Sequence, residues 1–517
     1  MGSDTRRRPW TAMATFLVVQ AVLGCWWAAL YPGLFSRDSV LYLSHTLVGP
    51  WVSDHSVLYD GLVWLSFTGT GDLGAVTFAQ TTAMAGALTY LARSLVRLGA
   101  PRVATTAVAM LMPLAPPVGA FTVTLWKDVP FTICAVLIAG ACARVAARRA
   151  VTVPALVWLS TLFVLLGLFR ANGFLVVAVA VPVMVLIVRT MRVRLLLAGA
   201  FAAAIPLLLN NLVFPQYGIV PPSRTYVYHT AFGDIAVAYR ENPEWFTPAD
   251  ISLLTSVAPL ERWWEGGACA TINPLIWRKD FSWWQAGMHA TELLELWRRL
   301  LVTEPATVVR TRLCRGAIAW RPVQDELTTG GMTYRLSRRP NADTYVGPHE
   351  VTDFPERWVF SLRPLSMELN RVAEPWLDRA LVPEWDWVLW RGASWAYLSY
   401  LAAALAAWAL RSRYVLMVVA GVAAQQVVVL ANISAQDFRY MAAPILVGVL
   451  LVPLLAGSVV RLLVRLVTWP FRRSRRRRSM TRPHIAPPLD AERVGSVPAS
   501  GPEAERVQAA HQPGAEV

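Results

Sequence analysis

Four stretches of this chain set ionisable side chains at the ends of long apolar runs. They are "SRDSVLY" with Asp38 and Tyr42, "LWKDVPF" with Lys127 and Asp128, "LFRANGF" with Arg170 and Asn172, and "DFRYMAAP" with Arg439 and Tyr440. A positioned carboxylate can take a proton from a hydroxyl. Guanidinium groups grip phosphate bidentately, and an ammonium holds it as a point charge. Lys127 is one of only two lysines in the chain, and few acids besides Asp437 lie near Arg170 and Arg439 in sequence. Three such cations at span ends point to an anionic ligand at a membrane surface, and a lipid-linked phosphate fits.

Each of these residues also has a plainer explanation. From Ser36 the pattern is an amphipathic helix, with Asp38, Tyr42 and His45 on one face and Val40, Leu43 and Leu47 on the other. Such a helix would lie along the membrane with its apolar side down. Asp38, in the first turn, either carries chemistry or merely supports the helix start. Asp128 precedes Val129-Pro130, a good N-cap arrangement, so it either caps the next helix or orients Lys127. His55, in "SDHSVLY", has no second histidine at metal-ligand spacing. The pairs Trp263-Trp264 and Trp283-Trp284 could stack on sugar rings or simply pack. "GTGDLG" matches GxGxxG without a preceding strand and is set aside as a nucleotide site.

The elements that must position these groups follow from composition. The 517 residues are 55% hydrophobic and 16% charged, with a mean hydropathy of +0.43. Apolar runs near the length needed to cross a bilayer recur throughout, so the expected fold is an all-α polytopic membrane protein. The net charge of +15 gathers at the ends of apolar runs and in "FRRSRRRRS". That pattern reads as topology signal and contact with anionic lipids rather than nucleic-acid binding.

Spans are expected at about 10–31, 74–98, 103–124, 129–147, 152–168, 173–190, 194–213, 392–410, 413–431 and 440–460. The arginine-rich connections then fall on one side, the cytoplasm, together with both termini. An even count of about ten fits, with Val57–Phe67 as an interfacial or re-entrant helix. The resulting plan is an N-terminal membrane module at 1–213 with a first outer loop at 32–73, and a mainly helical extracytoplasmic domain at 214–391. A C-terminal membrane module at 392–467 and a disordered basic cytoplasmic tail at 468–517 complete it. Cys25, Cys134 and Cys142 read as core residues. Cys269 and Cys314 could pair if the polar domain lies outside the cell.

With these residues in view, the plan resembles the GT-C superfamily of integral-membrane glycosyltransferases. The similarity is to the bacterial branch of the group that includes the polyprenyl-phosphate-sugar-dependent protein mannosyltransferases and the aminoarabinose transferase of lipid A. "SRDSVLY" resembles the acidic first-loop element at Asp38, and "DHSVLYDGL" a degenerate "HPPLY"-like element at His55 and Tyr59. The resemblance covers roughly residues 10–210 and 390–460. It implies sugar transfer from a polyprenyl-phosphate donor to an extracytoplasmic acceptor, with inversion. Asp38 would serve as base, and Lys127, Arg170 and Arg439 would hold the departing phosphate. Asp128, His55, Tyr42, Asn172 and Tyr440 would support them. Many relatives carry a paired acid where Ser39 follows Asp38 here, which tells against a divalent metal, and no other cofactor is implied. A flippase or transporter would place ionisable residues at mid-span instead; a ligase or polymerase of preassembled glycans would use the same donors.

Overall fold

A computed structural model describes residues 7–188, 191–323 and 357–480. Its regular elements are helices, joined at three points by isolated backbone bridges. The chain divides into a unit Met1–Leu463 and a unit Val464–Val517. In the second unit the described part continues the terminal helix Ala442–Met480. That helix runs through Pro470, past the boundary expected at 468. The remainder of the expected tail lies outside the described residues.

The N-terminal module contains α1 (Arg7–Ala29), α2 (Arg37–Leu47), α3 (Val57–Thr70), α4 (Gly74–Leu98), α5 (Arg102–Leu111), α6 (Pro116–Thr122), α7 (Asp128–Arg148), α8 (Val153–Phe169), α9 (Gly173–Ile187) and α10 (Arg192–Leu208). Among the described residues six helices are long and apolar enough to cross a membrane: Trp10–Ala29, Asp128–Arg148, Arg192–Gln216, Gly392–Leu410, Arg413–Ala431 and Phe438–Thr468. The pair Arg102–Leu114 and Pro116–Thr122, bent by 63°, makes a seventh if counted as one span. The other three expected spans are helices too. α8 and α9 are apolar but short, and α4 is long but diluted by Thr77, Gln80, Thr81, Thr82 and Thr89. Among the described residues the fold is therefore that of an all-α membrane protein, with six or seven helices that qualify by length and composition.

Packing is closest around α7, which lies in the middle of the bundle with 78% of its apolar window buried. Its run of Ala, Gly and Cys lets neighbouring backbones approach, the usual device where lipid removes the hydrophobic drive between helices. A Cβ at Gly140 would come within 2.5 Å of the Tyr90 ring on α4. Cys134 and Cys142 are buried in this helix, whereas Cys25 faces outward from α1 and is no core residue. α3 is not among the membrane-crossing helices, and it leaves Trp64 and Leu65 exposed.

The polar domain has its own core of Phe232, Ile235, Leu254, Trp263, Leu275, Leu293 and Leu296. "ATELLELWRRLL" forms the expected amphipathic helix, Ala290–Thr303, which buries Leu293, Leu296 and Leu300. A disulfide joins Cys269 to Cys314 in this domain.

Candidate functional site

The placement of Asp38 begins at Gly33. With φ at +151° and the Val123 carbonyl 2.8 Å from where a Cβ would sit, only glycine lets the first loop lie this close to the turn before α7. The Leu34 amide then donates to Val123 O at 3.1 Å, and the Leu125 amide to Leu34 O at 2.9 Å. Trp126 Nε1 donates to Ser36 Oγ at 2.5 Å, and Ser39 Oγ to Leu125 O at 2.8 Å. The same Ser39 hydroxyl accepts from the Ser36 amide, completing a capping box that starts α2. Two elements far apart in sequence are thus stitched together, and the stitching sets Asp38 beside Lys127.

α2 does not lie on the surface as its amphipathic pattern predicts. Tyr42 and Leu43 are both fully buried and Val40 nearly so, hence both faces are covered by protein. α3 folds against α2, with the Tyr42 ring meeting Tyr59 and His55 edge-on. Tyr59 donates to Gln80 Oε1 at 2.6 Å, and Gln80 donates in turn to the Thr122 and Thr124 carbonyls.

The ends of four chain segments meet here. Arg439 Nη1 donates to Asp38 Oδ2 at 2.6 Å, and Lys127 Nζ lies 3.7 Å from the same oxygen. His55 Nε2 is 4.0 Å from Asp38 Oδ1. Lys127 Nζ also reaches the Tyr42 hydroxyl at 3.4 Å. Asp128 holds Arg170 at 3.0 Å and faces Arg439 at 3.7 Å. The Tyr440 ring lies against both guanidiniums, 4.3 Å from Arg170 and 5.2 Å from Arg439. The side chains of Asp38, Lys127, Arg170 and Arg439 keep between 10% and 20% of their surface, so none of them is sealed completely.

Three expectations about these residues change. The cations are not isolated, because Asp38, Asp128 and Asp437 face Lys127, Arg170 and Arg439, three acids to three bases. Burial explains this, since a desolvated cation without a partner is too costly to keep. Asp128 does not cap α7: Lys127 occupies the N-cap position without a side-chain bond, and the Asp128 carboxylate is turned to the two arginines. Asn172 stands at the N-terminus of α9 without capping it, and among the described residues no bond joins it to the cluster.

Other members have weak sequence signals. Asp54 lies 2.8 Å from His55 Nδ1, and His45 lies 3.4 Å from buried Asp60, extending the ionisable groups away from Asp38. Asp437 accepts from the Arg439 amide and pairs with its Nε at 3.0 Å. The loop carrying Asp437 hangs from the polar domain. The Ile272 amide donates to Ser434 O, and Gln436 Nε2 donates to the carbonyl of disulfide-bonded Cys314 at 3.0 Å.

The charges shape the protonation states. Burial disfavours the Asp38 anion, but Arg439, Lys127 and His55 outweigh it and hold the carboxyl well below the usual carboxylate range. Burial lowers the Lys127 ammonium against the pull of Asp38 and Asp128. For Asp437 burial wins over Arg439 and raises the carboxyl to about 6.

Among the described residues no group of three or more His, Cys, Asp and Glu side chains is arranged to hold a metal ion. A hollow of about 670 Å³ lies elsewhere, between Leu175 and Leu430 of the bundle and Trp297 and Leu313 of the polar domain. Its walls are mainly apolar, and the arginine at its edge, Arg312, is already held by Asp234 at 2.6 Å. The cluster around Asp38 is thus where an acid and several cations from separate segments meet with part of their surface still exposed. No protein-family model, curated protein or solved structure matches the chain.

Proposed function

We propose that the protein is a GT-C-type membrane glycosyltransferase that moves a sugar from a polyprenyl-phosphate donor to an acceptor outside the cytoplasm. In this reading the chain crosses the membrane about ten times with both termini cytoplasmic, and the cluster around Asp38 faces outward. One observation carries it: Asp38, Lys127, Arg170 and Arg439 come from four separate segments and meet at span ends. That is the level at which the headgroup of a lipid-linked substrate lies.

The resting geometry also gives an order of events. With Arg439 and Lys127 on its carboxylate, Asp38 is a poor base. A donor phosphate competes for those cations; as they turn to it, Asp38 is released and its basicity rises. The acceptor oxygen then bonds to the anomeric carbon, and the bond from that carbon to the phosphate oxygen breaks. The acceptor proton passes to Asp38, and the polyprenyl phosphate leaves on Arg439, Arg170 and Lys127. The anion that frees the base is the one that must later depart.

The test is transfer by the full-length chain, reconstituted in lipid vesicles with a polyprenyl-phosphate hexose and a membrane glycan extract as acceptor. Release of polyprenyl phosphate that depends on Asp38 supports the reading. Undiminished release by the Asp38→Asn variant refutes the assigned base, and no release by the wild type under any acceptor refutes the function.

A further inference from the structure

Two of the three isolated bridges attach the polar domain to the loops that carry the cluster. Val220 pairs with Val52, the Val220 amide donating to Trp51 O at 2.8 Å and the Ser53 amide to Val220 O at 2.9 Å. The strand partner leads at once to Asp54 and His55. Thr271 pairs with Ala435, which leads to Asp437 and Arg439. The domain is therefore attached at two points to the loops that carry the charged cluster.

From each point the chain runs on to an aromatic ring. Tyr226 follows Val220, Trp277 follows Thr271, and the two rings meet with centroids 5.8 Å apart. Trp283 joins them, 5.6 Å from Tyr226 and 6.3 Å from Trp277. Trp277 keeps 42% of its surface, and Tyr226 and Trp283 are half-buried. Trp263, by contrast, is fully buried with its Nε1 on the Leu254 carbonyl, and does nothing but pack. Burial pushes the Tyr226 phenol up, and Tyr440, Asp38, Asp54 and Arg170 act on it electrostatically, so the phenol lies within electrostatic reach of the cluster.

We propose that Tyr226, Trp277 and Trp283 form an aromatic wall against which the pyranose ring of the lipid-linked donor packs. The proposal rests on the glycosyltransferase reading and adds where the sugar itself sits. Aromatic faces carry partial negative charge and meet the weakly positive C–H face of a pyranose, whereas a phosphate gains nothing from them. The cations and the wall would hold different ends of one molecule.

The discriminating measurement is binding of two lipids to the full-length protein in nanodiscs, a bare polyprenyl phosphate and a polyprenyl-phosphate hexose. Trp277→Leu and Tyr226→Leu are expected to weaken the sugar-bearing lipid about 2- to 10-fold and leave the bare lipid unmoved, with Trp277→Phe restoring most of the loss. Equal weakening of both lipids, or no change in either, overturns the wall. An effect confined to added methyl glycosides overturns its assignment to the donor sugar. A wild type that binds neither lipid sinks the glycosyltransferase reading itself, which is a different result from either of these.

Discussion

Asp38 and Arg439, 401 positions apart in the chain, are joined by a hydrogen bond of 2.6 Å. The bond links the helix that follows the first span to the start of the last one, and so closes the charged cluster. It also sets the state of the proposed base, because an anion gripped by a guanidinium and an ammonium has little appetite for a proton.

Replacing Asp38 with Asn separates the two roles of that bond. The carboxylate is lost while the shape is kept, so transfer should fall by about 10²- to 10⁴-fold, the usual worth of a positioned base. Arg439 and Lys127 lose a competitor at the same time, so bare polyprenyl phosphate should bind more tightly than to wild type. Isothermal titration alongside a transfer assay reads both; weaker lipid binding would mean that Asp38 organises the cations rather than competing for them.

Asp437 supplies a pH dependence that Asp38 cannot. Its folded value, raised to about 6, exceeds the ordinary carboxylate value of about 4. Ionising it therefore costs folding free energy, a cost absent below about pH 4 and fully present above the folded value. Below that value the neutral side chain leaves the cluster more positive. Affinity for a polyprenyl-phosphate hexose, a diester whose own charge is constant in this range, should rise as pH drops through 6, and Asp437→Asn should abolish the inflection. A profile unchanged by that variant would place the titrating group elsewhere.

The positions of the apolar helices, the amphipathic helix Ala290–Thr303 and the meeting of Asp38 with Lys127 and Arg439 were legible in the sequence, because apolar length and charge placement are local signals. What the sequence hid is the pairing. Asp128 looks like a cap beside a proline, yet its carboxylate serves Arg170 and Arg439, contacts that only tertiary packing creates. Ser39 looked like a missing acid but bonds the Leu125 carbonyl 86 residues away. α2 read as a surface helix since its pattern contains no trace of α3 and the Val123–Lys127 turn that cover it. No motif marks Trp277, whose placement depends on the bridge at Thr271 six residues earlier.

Asp128 should matter more to stability than to chemistry. It is 1% exposed and contacts both arginines, so removing its charge takes the acid that holds Arg170 and one of the three that face Arg439. Loss of one partner from a buried pair typically costs about 3–5 kcal/mol. Asp128→Asn should lower the melting temperature in detergent, and adding Arg170→Gln should recover part of the loss rather than deepen it. Strictly additive losses would show that the two side chains are not coupled.

The disulfide should act on the site from a distance. Cys314 accepts from Gln436 through its carbonyl, while Cys269 precedes the Ala270–Ile272 stretch that pairs with the loop of Ala435. Opening the bond frees two supports of the segment that ends in Asp437 and Arg439. Closing a loop of this size contributes about 2–4 kcal/mol, so Cys314→Ser should lower the melting temperature measurably. It should also loosen Arg439 and weaken polyprenyl-phosphate binding, whereas Arg170, held by Asp128 on the other side of the cluster, keeps its place. Adding Arg439→Ala to the Cys314→Ser variant should then weaken the lipid less than the same change does in wild type, because the disulfide variant has already lost part of that contact. Full additivity of the two substitutions in lipid affinity would show that the disulfide supports the domain alone and leaves the site untouched.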